Sequence, residues 1–542
     1  MNLLLKLSIS FVFVACVWIN FAVDADIPCA ARECPGQSVV CVCNETYNDE
    51  IVREPVPLGQ FVSYTSSKCG LRFYKATGVF RQTSQCACVG VELTLFPEEV
   101  FQQIEGFGGS VTDAAGINWL SLPVKLRHCM IDSYFGPKGI EYNMIRVPIG
   151  GSDFSTHPYT LNDLPDCDIT LSNFSLTAED YLLKLPMLKL ARDASASKAQ
   201  VLATTWSPPV WMKTNNNITG RNGYLKEEYY QCYADYHSKF IDSYTAEGIP
   251  IWGVTTTNEP MNAVKEQVPF NTLGWLPQQM GKWIAKNLGP TIRKRHSDVK
   301  IICADDQLYN LPIYVTMLGL ECPEAMQYID GVGVHWYGNY MTAPSLYRYI
   351  SKCNPDKFII ATEACSGYKT NDVILGSWDR AMDYISDIIM DLSYNLVGWI
   401  DWNLCLNEQG GPNWVGNFVD SPIIVLNNKK EFVKQPMFYA MGHFSKWIPK
   451  GSYRINIKVK QTPGLEQIAF RTPEENIVVV LHNKNSAAIT VTVVLGELQA
   501  TAALKSYSVT TIEFPFNYKT FGVRQGKLRP LSQLRQPCVA IN

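Results

Sequence analysis

IWGVTTTNEP, residues 251–260, starts as an apolar stretch with the texture of a core strand and ends on Asn258, Glu259 and Pro260. A carboxylate at the end of such a strand needs a reason, since a buried unpaired charge is costly. Outward from this segment the chain repeats one rhythm between about residues 100 and 405: an apolar run, a Gly/Pro/Asn-rich junction, then a helical stretch. The eight runs open at Phe101, Tyr142, Gln200, Ile251, Val299, Asp330, Lys357 and Leu396. Eight parallel strands alternating with helices predict an α/β fold of the (β/α)8 TIM-barrel type. An open doubly wound sheet is the alternative, but no GxGxxG fingerprint supports it. EGFGGSVTD, residues 105–113, lacks the third glycine, and its glycines read as a tight turn at a strand end.

The flanks have a different texture. Past Gly451 short alternating stretches such as NIVVVLHN and AAITVTVVL predict an attached antiparallel β-sandwich over residues 451–517. Residues 56–100 share that texture and are expected to lend it strands, which leaves 101–450 for the barrel and 518–542 as a basic, turn-rich tail. At the other end, residues 1–25 carry one lysine, an apolar run from Leu7 to Phe21, and small residues at Ala22 and Ala25, the pattern of a signal peptide. A membrane anchor is the competing reading. The run is short for it, and no later segment has the ~18 consecutive apolar residues of a spanning helix. Three N-x-S/T acceptors, Asn44, Asn173 and Asn217, fit passage through the secretory pathway.

The cysteines agree with that compartment. Of 17 in the chain, Cys29, Cys34, Cys41 and Cys43 crowd into one short stretch, which makes residues 26–55 a small disulfide-stapled β segment. Four cysteines allow three pairings. Cys69, Cys86 and Cys88 suggest a further staple, and Cys303, Cys322 and Cys365 read as buried thiols. No CxxC or HExxH spacing points to zinc, so no metal is expected. A net charge of −3, without a dense basic run, gives no field for nucleic acid.

Barrels of this kind place their chemistry at the C-terminal ends of their strands. The residues there are Asp153 after the second run, Trp206 after the third, Asn258 and Glu259 at the fourth, Asp305 and Asp306 at the fifth, His335 and Tyr337 at the sixth, Glu363 at the seventh, and Trp402 and Asn403 at the eighth. The glutamates at four and seven matter most. Glycoside hydrolysis with retention needs two carboxyl groups about 5–5.5 Å apart, one a nucleophile and one an acid that later serves as base. Runs four and seven face each other across a barrel mouth, so Glu259 and Glu363 can meet that spacing. Asn258 is placed to donate to a sugar 2-hydroxyl, and Arg146 reads as the electrostatic partner of a site carboxylate.

The segments IRVPIGGSDFS, WSPPVWMKTN, TTTNEP, VHWYG, IIATEAC, VGWIDWNLCLNEQGGPNWVGNFVDSPII and KQPMFYAMGHFSKWIPKGS resemble the acid β-glucosidase (glucosylceramidase) family, glycoside hydrolase family 30, from about Cys29 to about Phe514. The resemblance implies Glu259 as acid/base and Glu363 as nucleophile, with Thr362 where the family has serine. It implies sugar-binding roles for Asp153, Trp206, Asn258, Trp402 and Asn417, and His335 and Tyr337 as pocket walls. Phe270 is retained in an entrance loop, PMNAVKEQVPF, that otherwise diverges. The resemblance further implies a retaining enzyme acting on glucosylceramide in the lysosome without a cofactor. Contact with a membrane surface follows, with room for a saposin-like activator. The rivals are a secreted clan glycosidase (a soluble β-glucosidase or β-glucanase) and a non-catalytic glycolipid-binding homologue. The family's second N-terminal cystine uses a cysteine that this chain lacks. With Cys34 offered instead, the expected pairs are Cys29 with Cys41 and Cys34 with Cys43, and Cys69 with Cys86 or Cys88.

Overall fold

The computed structural model describes residues 26–85, 89–265, 267–459, 462–524 and 528–530. The leader, Cys86, Cys88 and residues 531–542 of the tail lie outside the described residues. Eight strands close a parallel barrel: β1 (Gly106–Ser110), β2 (Met144–Ile149), β3 (Gln200–Thr205), β4 (Ile251–Thr255), β5 (Lys300–Gln307), β6 (Gly331–His335), β7 (Phe358–Glu363) and β8 (Leu396–Asn403). All residues of β2 and β8 are buried, which is why these strands read as continuous apolar runs instead of alternating ones.

Two corrections to the sequence reading arise at the first strand. Phe101–Gln103 ends a sandwich strand, Val91–Gln103, and the barrel strand begins only at Gly106. The glycines of EGFGG lie within β1, not in a turn after it. A Cβ on Gly108 would sit 1.9 Å from the Met144 carbonyl oxygen, so only glycine lets β1 and β2 approach this closely.

Inside the barrel the side chains change character along each strand. Met144, Leu202, Ile302 and Ile360 pack together as an apolar plug. Two residues further on, on the same face, stand Arg146, Thr204 and Thr362. On β5 the alternation would turn Asp305 outward, but a bulge intervenes. The register to β6 shifts between Ala304 and Asp306, and Ala304 and Asp305 both adopt left-handed backbone, at φ 72° and 59°. The bulge aims Asp305 into the barrel, where it is fully buried.

The second layer is a β-sandwich in which strands Gln60–Ser67, Tyr74–Val79 and Val91–Gln103 join those from Tyr453 to Pro515. Ser508–Glu513 pairs with Val62–Ser67 antiparallel, whereas Val91–Thr94 pairs with Val491–Val494 in parallel, so the domain is not wholly antiparallel. Helix Pro436–Ser445 links it to the barrel, with His443 between Ser66 and Thr511. At the N-terminus Ala31–Glu33 and Val39–Cys43 enter a five-stranded sheet with Glu431–Lys434, Ile423–Leu426 and Leu406–Asn407. Among the described residues no helix is long and apolar enough to cross a membrane.

The Cys29–Cys41 disulfide is present. The expected Cys34–Cys43 bond is not: both are free thiols, and Cys43 is buried against Asp49, 3.6 Å away. Alternate positions on a strand share a face, so Cys43 points to the same side as Cys41 and meets Asp49, whereas Cys34 packs with Val40 and Val42 on the other side. Cys69 is also free and exposed, which overturns its expected pairing. Asn173 and Asn217 are exposed, and Asn44 is half-buried.

Candidate active site

The ends of the eight strands enclose a cavity of about 290 Å³ lined by Asp153, Trp206, Asn258, Glu259, Phe270, Tyr337, Glu363, Trp402 and Asn417, together with Asn262, Gln307, Tyr309, Cys365, Tyr368 and Val419. Arg146 and His335 are fully buried behind this wall and reach the cavity only through the carboxylates they hold.

Each glutamate has its own set of donors. Glu363 Oε2 accepts from Arg146 at 2.5 Å and Oε1 from the Tyr337 hydroxyl at 2.9 Å. Glu259 Oε1 accepts from Gln307 at 2.7 Å and from His335 Nδ1 at 2.9 Å, and Oε2 from the Asn262 amide at 2.6 Å. Glu259 has left-handed backbone, φ 42°, and its N–H donates to the carbonyl of Asp305 on the bulge at 2.9 Å. Two strained segments therefore brace each other, as is common where a site must be held in one geometry.

Asp305 is the buried hub. Its Oδ2 accepts from Arg146 and Thr255, both at 2.9 Å, and its Oδ1 from Thr362 at 2.5 Å and His335 Nε2 at 3.1 Å. Burial works against its charge, but Arg146 and His335 outweigh this and hold its carboxyl well below the usual range. His335 faces a carboxylate at each ring nitrogen. Burial opposes its charge too, yet Glu363, Asp305 and Glu259 raise it to about 10, which favours the imidazolium. One ligand atom each from Glu259, His335 and Glu363 lies within 4.8 Å of the others, a spacing that would admit a cation. Both ring nitrogens of His335, however, already lie within hydrogen-bond distance of carboxylate oxygens, at Glu259 and Asp305.

The sugar-sized part of the cavity is built from an aromatic pair and an acid. Trp206 and Trp402 stack at 5.2 Å with 19° between their planes, and the Arg146 guanidinium lies 5.0 and 5.3 Å from their ring centres. Asp153 accepts from Asn417 at 3.0 Å and Asn413 at 3.2 Å. Burial pushes its carboxyl up to about 7; the two amides pull it down, and Glu363 and Glu259 add to the rise. Asn258, which lines the cavity, has its Oδ1 taken by Arg146 at 2.8 Å, so what it has left to offer is its amide N–H donors.

Residues 104–448 match the glycosyl hydrolase family 30 TIM-barrel domain, and residues 451–512 the glycosyl hydrolase family 30 beta sandwich domain. The chain belongs to glycoside hydrolase family 30. It is 41% identical over 474 residues to the lysosomal acid glucosylceramidase of Mus musculus, covering 86% of this chain and 91% of that one. It is 42% identical over 431 residues to putative glucosylceramidase 3 of Caenorhabditis elegans, covering 78% and 82%. Among solved structures it resembles the endo-beta1,6-glucanase BT3312, with a TM-score of 0.76, 26% identity and 85% and 100% of the two chains covered. As a family 30 member it is a glycoside hydrolase.

The sequence reading of this family 30 site left out Asn262, Gln307 and Asn413, and gave Asp305 and Thr362 no role of their own. Gln307 and Asp305 carried a faint signal, the polar ending of run five. Asn262, at the start of the short helix Asn262–Lys265, and Asn413 carried none, being ordinary polar residues of the segments between elements the sequence reading named.

Proposed function

We propose that the protein is a retaining β-glucosidase that hydrolyses glucosylceramide to glucose and ceramide by double displacement, with Glu363 as nucleophile and Glu259 as acid/base. The observation that supports this reading is the closeness of the two carboxylates, one oxygen of Glu259 lying within 4.8 Å of one oxygen of Glu363. An inverting enzyme would need about 6.5–9.5 Å to seat a water. Arg146 pairs with both Asp305 and Glu363, which gives the buried nucleophile a fixed cationic partner, and Glu259 stands across the cavity from it as the acid/base. In the first step Glu363 attacks the anomeric carbon while Glu259 protonates the departing oxygen. In the second, Glu259 takes a proton from water as it displaces the glycosyl ester. Asp153, Asn417, Asn258 and the two indoles bind the glucose, with Tyr337 on the nucleophile and Phe270 at the entrance.

The glucosylceramide assignment is supported by the glucosylceramidase relatives and by apolar residues on the segments after β5 and β6. Leu320, Tyr340 and Met341 are 73%, 70% and 61% exposed and suit contact with a lipid surface. Residence in the lysosome and a saposin-like activator belong to the same reading. A β-glucanase activity is the second reading, favoured by the likeness to the endo-beta1,6-glucanase. Assay of glucosylceramide, galactosylceramide and β-1,6-glucan at acid pH separates them, with glucosylceramide expected to be turned over fastest. NMR of the first-formed glucose tests the mechanism: β-glucose is expected, and initial α-glucose would overturn both roles.

A further inference from the structure

Glu259 does not present its two oxygens equally. Oε1 is taken by two donors, Gln307 and His335, and Gln307 is itself fixed because its Oε1 accepts from the Gly338 N–H at 3.1 Å. Oε2 meets a single donor, Asn262, and is the oxygen with a lone pair open to the cavity. If Glu259 is the acid/base, the proton that reaches the glycosidic oxygen leaves from Oε2. The leaving-group oxygen must then come within about 2.6–3.2 Å of it. Asn262 Nδ2 is 2.6 Å from that same atom and its side chain lines the cavity, so its amide is a neighbour of the leaving group. With one N–H of Nδ2 committed to Glu259, Asn262 keeps a second N–H and its Oδ1, and of these Oδ1 is the acceptor that answers a donor on a leaving group. The surrounding wall, Phe270, Tyr309 and Tyr368, is aromatic and suits a hydrocarbon chain.

We infer that Asn262 sets leaving-group specificity: its Oδ1 accepts a hydrogen bond from an amide N–H or hydroxyl that the leaving group carries a few bonds from the glycosidic oxygen. The inference rests on the reading of Glu259 as acid/base. In the step itself the C–O bond breaks, its electron pair goes to the oxygen, and the Oε2 proton moves onto it. Asn262 forms no covalent bond; it fixes the leaving group and the Oε2 edge relative to each other. A leaving group with suitably placed donors, such as the amide and hydroxyl of a ceramide, is aligned for protonation. A bare alkyl alcohol is not.

The test compares kcat/KM for wild type, Asn262→Ala and Asn262→Gln on three β-glucosides. Glucosylceramide has the donors and a poor leaving group, octyl β-glucoside has a poor leaving group without donors, and 2,4-dinitrophenyl β-glucoside departs without protonation. Asn262 is half-buried at the cavity edge, so the variants are expected to fold, which thermal melting verifies. Asn262→Ala should lower the glucosylceramide-to-octyl ratio by about 5- to 10-fold, as for loss of one hydrogen bond. Asn262→Gln should restore part of it. The octyl-to-dinitrophenyl ratio should move less, because it reports only on the placement of Glu259. Equal losses on glucosylceramide and octyl glucoside, or no loss on either, would overturn the inference while leaving Glu259 in its role. A wild-type protein inert to all three glucosides would overturn the β-glucosidase reading, and this inference with it.

Discussion

Glu363 is fixed at both oxygens, so Glu363→Gln should leave the cavity in place and remove only the nucleophile. We expect kcat for an aryl β-glucoside to fall by about 1,000-fold or more, and a variant keeping a tenth of wild-type kcat would refute the role. Glu259→Gln should behave differently. With a good leaving group the glycosyl-enzyme should still form, but it should hydrolyse slowly, seen as a burst of released phenol followed by a slow steady state. Asp305 is buried behind the cavity wall, yet its loss takes one of two hydrogen-bonded carboxylates from each of two buried cations, leaving Arg146 with Glu363 and His335 with Glu259. Asp305→Ala should cost about 3–5 kcal/mol of stability, measured by denaturant unfolding, and Asp305→Asn less.

Helix Trp378–Ser393 carries aspartates at 379, 383, 387 and 391, every fourth residue on one face. Asp387 is buried, accepting from Asn339 at 2.8 Å and Trp399 at 3.0 Å, and burial pushes its carboxyl up to about 6. Asp391 is buried with neither oxygen in a hydrogen bond of good geometry, the Tyr347 hydroxyl being its nearest polar neighbour. Burial, reinforced by Asp387, pushes its carboxyl well above the usual range. Lys369, Arg380 and Lys484 act on Asp383, not on this inner pair. A carboxyl raised in the folded state binds more protons folded than unfolded. The contribution of these two carboxyls to stability is therefore fully present below about pH 4 and is lost as pH rises through about 6 for Asp387 and further for Asp391. Asp391→Asn should raise the thermal midpoint at pH 7 by about 2 °C or more and change it less at pH 4.5. Strands β2 to β8 were legible because apolar β-branched runs between glycines and prolines announce themselves. The β5 bulge was not, since ADDQ spells the same residues whether Asp305 faces in or out, and only Ala304 and Asp305 taking left-handed backbone decides it. Likewise nothing in the spacing of Cys34 and Cys43 told that Asp49 would claim the second thiol.

The whole molecule ties its ends to its middle. Cys29 and Cys41 close a loop of 12 residues at the rim of the sheet that also holds Glu431–Lys434. Replacing both by serine should cost about 2–3 kcal/mol, read from denaturant midpoints, without touching the cavity. In the sandwich, Thr65 meets Thr510 at 2.9 Å across a separation of 445 residues. During synthesis the strand Gln60–Ser67 can pair at once with Tyr74–Val79, but its other edge must wait across that same separation for Ser508–Glu513. Contacts this distant in sequence slow folding, and an unpaired strand edge is an invitation to the wrong neighbour. A nascent chain stalled before Ser508 would thus hold a half-built sandwich beside the barrel, and the arrival of Ser508–Pro515, more than any residue of the cavity, would decide when that strand edge is shielded from aggregation.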